Sequence, residues 1–370
     1  MIWAEKVLFT VAVMVGINSS LAIILVLAEA LFLRYGVVRV KINNEERSVE
    51  GGSSLLATLA QEKIFIPSAC GGRGTCGYCK CKIIEGGGPL LPTEASVLTG
   101  KEIEAQLRLA CQIKVKGPMA IVIPEEFLSI KSFKARIESI QILTHTLKNL
   151  RLQLVEPETI SFKPGQYIQL KSEPYGSIRE CVSRAYSISS NSADSRHVEL
   201  IIQHVPDGIC STWVHQHLNE GEEVEFTGPM GEFYLREGQG EIIMIAGGSG
   251  IAPIVSILWE TADKQISRKI TFFYGARAVK DLFYLKKMEE FEEKIPDFTF
   301  VPSLSNPDPG DDWQGKTGWV TEHVENYLKD KDTSDMQAYL CGSPGMVQAS
   351  VSILEKYGMK SSNIFYDPFA

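Results

Sequence analysis

Cys70-Gly71-Gly72-Arg73-Gly74-Thr75-Cys76-Gly77-Tyr78-Cys79 decides how the rest of the chain is read, and Cys111 completes it. Three cysteines and four glycines share these ten residues. A metal–sulfur cluster needs thiolates converging on one point, and a glycine-rich loop tolerates the φ > 0 that turns backbone N–H groups toward sulfur. The spacing predicts a [2Fe–2S] site with Cys70, Cys76, Cys79 and Cys111 as ligands. Structural zinc on four thiolates is the competing reading. Zinc sites usually pair two short cysteine hairpins, and only one is present here. No histidine precedes His145, which removes Rieske and mixed Cys/His sites. Cys81 alternates with Cys79 along a strand and reads as a small buried residue rather than a fifth ligand.

At 370 residues the chain is long enough for two or three domains. Its hydrophobic share of 44% and charged share of 22% are those of globular protein. A net charge of −8 argues against a nucleic-acid partner, which would want a basic face. Eight cysteines are too sparse for a disulfide scaffold, and four stand at ligand spacing, so the expected compartment is reducing.

Residues 7–33 form an apolar run broken by Asn18, Ser19, Ser20 and Glu29. As a helix it would be roughly 40 Å long, enough to cross a hydrocarbon core of about 30 Å. A cleaved signal peptide is the alternative, since Ala28-Glu29-Ala30 imitates a cleavage site. The run is longer than a typical signal core and only Lys6 precedes it, opposed by Glu5. Residues 1–34 are therefore expected to be a single-pass transmembrane anchor. Arg34, Arg39 and Lys41 put the rest of the chain in the cytoplasm, on the inner face of the cell membrane.

Residues 35–127 read as the cluster domain. Val37–Ile42 has strand character, Asn43-Asn44 is a turn signal and Ser48-Val49-Glu50 reads as the return strand. Apolar residues at helical spacing occupy 53–62. Lys80–Ile84 and Gln112–Val115 are expected as short strands beside the ligands. This order suits a β-grasp fold, and the C-x5-C-x2-C…C spacing differs from the plant-type ferredoxin pattern by one residue.

From residue 130 to 236, short alternating runs separated by Pro and Gly predict an antiparallel β-barrel. From 240 to 370 the pattern becomes strand–helix alternation and predicts a parallel α/β domain. The glycine loop Gly247-Gly248-Ser249-Gly250 sits between a strand and an apolar helix, with Pro253 placed to start that helix.

The anchored cysteine domain and the motifs behind it resemble the F subunits of the sodium-translocating NADH:quinone reductases, over nearly the whole chain. More broadly they resemble reductases that fuse a ferredoxin to a ferredoxin-NADP-reductase-like unit. Arg184-Ala185-Tyr186-Ser187 matches the R-x-Y-S motif of that superfamily. The match implies Arg184 on the flavin diphosphate, Tyr186 along the isoalloxazine and Ser187 at flavin N5. Gly208-Ile209-Cys210-Ser211-Thr212 resembles its G-x-x-S diphosphate loop, implying Gly208, Ser211 and Thr212 as FAD contacts. Gly228–Phe233 matches the G-P-x-G-x-F turn that closes the barrel.

Gly247–Pro253 matches G-G-x-G-x-A-P, which implies Gly247, Gly248, Gly250 and Pro253 on the pyrophosphate of NADH. Arg277 and Asp281 lie after the next strand, where the ribose is read; Asp281 favours NADH over NADPH, and Arg277 keeps NADPH open. Cys341-Gly342-Ser343-Pro344-Gly345-Met346 resembles C-G-x-P-x-M, placing Cys341 at the nicotinamide–flavin contact with Gly342 beside it. Phe369 matches the terminal aromatic that moves aside for nicotinamide. Departures are C-G-S-P-G-M where F subunits usually have C-G-P-P-M-M, and shorter segments at 175–184 and before Pro206.

The resemblance implies a membrane-anchored oxidoreductase with FAD, a [2Fe–2S] cluster and NADH, feeding partner subunits of a quinone reductase. An oxygenase reductase and a non-enzymatic iron–sulfur sensor are the rivals. The six histidines pair at no metal spacing, and His215 and His217 read as solvated. The stretch 306–313 reads as a surface loop.

Overall fold

Alternation in β1 (Val37–Ile42) buries Val38, Val40 and Ile42 on one face, and β2 (Glu45–Glu50) returns antiparallel beside it. The computed structural model describes residues 2–32 and 35–368. It divides into two units, Met1–Ile66 with Gly72–Leu128, and Pro67–Gly71 with Ser129–Ala370.

The first unit begins with α1 (Ile2–Phe32), a helix of 31 residues. Among the described residues no helix is long and apolar enough to cross a membrane. Phe9, Met14, Ile17, Ile23 and Val26 on α1 are all exposed. After β2 comes α2 (Leu55–Gln61), capped by Ser54, whose Oγ accepts from Ala57 N at 3.2 Å. Next in order are β3 (Lys80–Glu85), α3 (Pro92–Ala95), α4 (Gly100–Glu104), β4 (Leu107–Leu109) and β5 (Met119–Val122). The sheet order is β2-β1-β5-β3-β4, with β1 and β5 parallel. Leu55, Leu59, Leu109 and Ile121 fill its core, and Cys81 packs there as a small apolar residue.

Gln112–Val115 is not a strand. Val115 N donates to Ser53 O, Gln112 N turns back to Leu109 O, and Lys114 makes only an isolated bridge to Ser54. Val115 N, together with the carbonyls of Ala110 and Ile113 that accept from Leu56 N and Leu55 N, ties this segment to the start of α2 in place of a ladder, and the strand forms earlier, as β4.

In the second unit, β6 (Lys131–Ile142), β7 (Leu147–Glu156), β8 (Tyr167–Lys171), β9 (Ser183–Ser187), β10 (His197–Gln203) and β11 (Glu223–Met230) form one antiparallel sheet, with α5 (Ile209–Gln216) between the last two. Its order is β10-β7-β6-β11-β8-β9. The Ile188–Leu200 bridge brings the two edges together, so the sheet is close to a closed barrel.

The remainder is a parallel sheet. Its elements in chain order are β12 (Ile242–Gly247), α6 (Ile251–Asp263), β13 (Ile270–Ala276), α7 (Leu285–Lys294), β14 (Phe298–Leu304), β15 (Lys316–Thr317), α8 (Val320–Leu328), β16 (Gln337–Gly342), α9 (Pro344–Lys356) and β17 (Ile364–Pro368). The strand order is β15-β14-β13-β12-β16-β17. Order reverses on either side of β12, and such a switch point opens a crevice at the strands' C-terminal ends. β12 is a continuous apolar run because both its faces are covered.

Candidate active site

Within the first unit the cluster loop is tied to the Cys111 leg by backbone. Ala110 N donates to the carbonyl of Cys79 at 2.8 Å. Thr93 Oγ1 donates to Gln112 Oε1 at 3.0 Å, and Gln112 Nε2 lies 3.5 Å from Cys111 Sγ as its donor. A Cβ on Gly74, at φ +79°, would stand 2.6 Å from that Gln112 nitrogen. Only glycine leaves the amide room beside the sulfur.

Cys79 is buried, and its thiol is driven far above the ordinary cysteine range. The hydrogen bond with Cys111 contributes most, then burial, then the charges of Cys111 and Cys76. Burial pushes Cys81 up to about 12, consistent with an inert core thiol. Among the described residues no three His, Cys, Asp or Glu side chains stand together as a metal-holding group. Cys76, Cys79 and Cys111 belong to the first unit, and Cys70 lies in the short segment that groups with the second. The donor chemistry nevertheless fits an iron–sulfur cluster. Thiols that hold one another protonated are those whose protons a bound metal displaces.

A buried ion pair locks the frame behind Cys111, and no sequence motif signals it. Glu94 is fully buried; its carboxylate accepts from Arg108 Nε at 2.9 Å, Leu109 N at 3.0 Å and Leu91 N at 3.0 Å. Arg108 also donates to the carbonyls of Gly88 and Pro89. Burial alone would raise the Glu94 pKa, but Arg108 and the two amides outweigh it and the net shift is downward. Its contribution is therefore complete above the unfolded value, about 4.3, and is lost as pH falls through the lower folded value. Glu94→Ala is expected to cost about 3–5 kcal/mol by stranding Arg108. Thermal unfolding of the protein at pH 7 and pH 4 checks both statements, since the gap between wild type and variant should narrow at acid pH.

In the second unit β9 presents the R-x-Y-S residues. Arg184 Nη1 donates to Ser183 O at 2.8 Å, and Ser187 is buried. Tyr186 is held well above the usual phenol range by burial and then by the neighbouring Cys210. Burial in turn pushes the Cys210 thiol up to about 11, against the opposing pull of Tyr186 and Arg184. Arg184, Tyr186 and the start of α5 are thus brought together, and Cys210 joins them unannounced by any motif.

Gly208 caps α5, where free N–H groups and the helix dipole suit a diphosphate. The Ser211 hydroxyl accepts from Val205 N at 3.1 Å, so its side chain holds the loop. Thr212 N turns back to Gly208 O. His215 is not solvated. Its Nε2 lies 3.0 Å from Ile202 O and burial lowers its pKa, while His217 stacks on Tyr175 at 4.5 Å.

Gly247, Gly248 and Gly250 lie at the C-terminal end of β12, and Pro253 is buried in the first turn of α6. Tyr274, near the end of β13, donates its hydroxyl to Gly248 O at 3.3 Å. Gly342 lies beside the same loop, where a Cβ built on it would stand 3.4 Å from Gly247 N. Cys341 is wholly buried, and burial followed by the charge of Asp367 raises its thiol well above the ordinary range. It is a neutral packing group at the strand end. Arg277 is exposed. The Asp281 carboxylate accepts from Ala278 N at 3.0 Å and lies 3.6 Å from His145 Nδ1, so it caps its own turn. Phe369 lies outside the described residues.

Residues 40–116 match the 2Fe-2S iron-sulfur cluster binding domain, 134–234 the oxidoreductase FAD-binding domain and 244–352 the oxidoreductase NAD-binding domain. The F subunit of the Na(+)-translocating NADH-quinone reductase of Pseudomonas aeruginosa is 33% identical over 402 aligned positions, covering 98% of both chains. The F subunit of the Neisseria meningitidis enzyme is 34% identical with the same coverage. The chain belongs to this F-subunit family.

Among solved structures, an Amycolatopsis cytochrome P450 reductase superposes with a TM-score of 0.73 at 26% identity, over 90% of this chain and 98% of its own. The ferredoxin reductase of a carbazole 1,9a-dioxygenase gives 0.70 at 25% identity with the same coverage. As a member of the F-subunit family the chain is an oxidoreductase with FAD, a [2Fe–2S] cluster and NADH as its cofactors.

Proposed function

We propose that this chain is the NADH-oxidising subunit of a membrane-bound NADH–quinone reductase, anchored through residues 1–34. Residues 35–127 would carry the cluster, 130–236 the flavin and 240–370 the nucleotide. The end-to-end match to F subunits carries this reading, because it covers nearly the whole chain rather than the three cofactor domains alone. When bound, FAD would supply hydride acceptance with one-electron release, and a [2Fe–2S] cluster would supply one-electron transfer.

The chain's own residues bind and orient these groups. Arg184 and the N-terminus of α5 at Gly208, Ser211 and Thr212 neutralise the FAD diphosphate. Tyr186 lies along the ring system and Ser187 supplies a hydroxyl to it. Gly247, Gly248 and Gly250 let backbone approach the NADH pyrophosphate, with Pro253 in the first turn of the helix behind them. Cys341 with Gly342 is assigned to the nicotinamide contact, and Phe369 is assigned as the terminal aromatic that gives way to nicotinamide. Arg277 and Asp281 border the ribose. Lys280, on the turn that carries Asp281, donates to Asp308 at 2.8 Å, which leaves fewer free cations for a 2′-phosphate. Cys70, Cys76, Cys79 and Cys111 ligate the cluster.

The anchor is supported by the apolar run of residues 7–33 and by the exposed apolar side chains within it. The cationic residues after it favour a cytoplasmic position for the catalytic domains, at the inner membrane.

A second reading, the reductase of an oxygenase, is favoured by the superposition on two such proteins. Fractionation and titration separate the two. The chain should remain in carbonate-washed membranes and reduce quinone only together with partner subunits. NADH should exceed NADPH in kcat/KM by at least about tenfold, some 1.4 kcal/mol. Full release into the soluble fraction, with electrons passed to a soluble oxygenase, would favour the second reading.

A further inference from the structure

Ser256 is fully buried in α6, and its Oγ donates to the carbonyl of Ser190 at 2.8 Å. A serine inside a helix ordinarily returns its hydroxyl to the carbonyl four residues back. Thr261, on the same helix, does so to Ile257 O. Ser256 instead reaches out of its helix to another segment. Two turns further along, on the same face, Asp263 Oδ2 accepts from Asn191 Nδ2 at 2.8 Å.

Ser190 and Asn191 come directly after β9, three and four residues past Ser187, and α6 comes directly after the loop Gly247–Gly250. The two bonds therefore brace the strand that presents Tyr186 and Ser187 against the helix that extends from the nucleotide loop. Apolar contacts cross the same seam, where Leu147, Ile201 and Phe233 share one core with Ile254, Ile257 and Leu258. Such contacts are non-directional and hold two surfaces together without fixing how far one slides along the other. A buried hydrogen bond to a single carbonyl has a preferred direction and length, and so fixes that register.

We propose that Ser256 is a positioning residue for hydride transfer: its bond to Ser190 sets the register of the nucleotide loop on the flavin strand. The inference rests on the reading that FAD and NADH occupy these two segments, and deepens it by naming what aligns them. Ser256 touches neither group. It acts through α6.

The test compares Ser256→Ala with Ser256→Thr in the flavin-loaded protein, with Asn191→Ala as the variant of the exposed bond. Three quantities are measured. They are amide hydrogen exchange over residues 188–191 and 251–263, the Kd for ADP-ribose, which carries no nicotinamide, and the rate of flavin reduction by NADH and by NADH deuterated at C4. For Ser256→Ala, exchange should rise in both segments and the ADP-ribose Kd should hold within about twofold. Flavin reduction should slow by about tenfold with a larger deuterium effect, since small misplacements of reacting atoms are costly. Ser256→Thr, which keeps the hydroxyl, should recover most of the rate.

An unchanged reduction rate, or a fall in ADP-ribose affinity parallel to the fall in rate, overturns the proposal. The first would make the bond purely structural, and the second would mean that the nucleotide site itself is damaged. Failure of wild-type flavin to be reduced by NADH would instead overturn the functional reading, and the positioning role with it. The exchange data would then report a brace without a reaction to serve.

Discussion

Cys79→Ser is expected to abolish the [2Fe–2S] centre and NADH-dependent quinone reduction, while NADH-dependent ferricyanide reduction through the flavin survives. Cys79 is the most buried of the proposed ligands, and Cys111, burial and Cys76 together raise its thiol far above the ordinary range. Serine offers a hard, strongly bound proton where a thiolate is required, and its shorter reach leaves the Cys111 sulfur without its partner. Losing an outer partner of a metal ligand already costs about 10–100-fold, so loss of the ligand should exceed about 100-fold in quinone reduction. Cys81→Ser is the control. Cys81 is equally buried and lies two residues on, in β3, but it packs in the core, so the variant should lose stability while keeping the cluster. Visible absorbance of the purified protein together with the two acceptor assays decides the matter. Retention of the cluster by Cys79→Ser, or its loss in Cys81→Ser alone, would put the ligand assignment in error.

Gly250→Ala carries the second large effect, because the new methyl would have to occupy the backbone of the neighbouring strand. Its Cβ would overlap the carbonyl of Cys341 and approach Gly342 Cα at 2.9 Å. Neither is the end of a flexible side chain, so α6 or β16 has to move. Overpacking of this kind costs about 1–3 kcal/mol, and a parallel sheet covered on both faces can absorb little of it. In a unit of this size that is a fall of roughly 2–12 °C in Tm. NADH affinity should fall as well, since the displaced loop is the one proposed to approach the pyrophosphate.

Gly248→Ala provides the contrast. Gly248 has φ +56°, but its Cβ would meet only Gln203 Oε1 at 3.6 Å. Its cost is a left-handed backbone, about 1–2 kcal/mol, without a collision. Thermal scans with and without NADH should rank Gly250→Ala below Gly248→Ala in both stability and nucleotide-induced shift. Equal effects would mean that backbone conformation, rather than the packing of Gly250 against β16, governs the loop.

Much of the fold was legible because its signals are local. The alternation of Val37–Ile42, the apolar run ending in Gly247-Gly248-Ser249-Gly250 and the barrel strands around Arg184–Ser187 each announce an element and its cofactor chemistry within a few residues. Gln112–Val115 misled because its apolar alternation is real, while its N–H groups are drawn to Ser53 and Leu109 by contacts no local pattern encodes. Asp281 carries a similar lesson. An acidic residue after the second strand has a ribose-reading precedent, but here the carboxylate also accepts from the amide of Ala278, which no spacing announces.

What the sequence determined by itself is the inventory: four cysteines at ligand spacing, a flavin motif and a nucleotide loop, each set by residues close together in the chain. The cysteine loop names a cluster but does not show how its legs are held. Only the tertiary structure decided that the Cys111 leg is braced by Glu94 and Arg108, that Cys210 meets Tyr186, and that Ser256 bonds to Ser190. Arg108 and Glu94 stand 14 residues apart in the chain, and Ser256 and Ser190 stand 66 apart. A buried polar group must find its partner wherever the packed chain presents one, and that position depends on the whole fold rather than on any stretch of sequence.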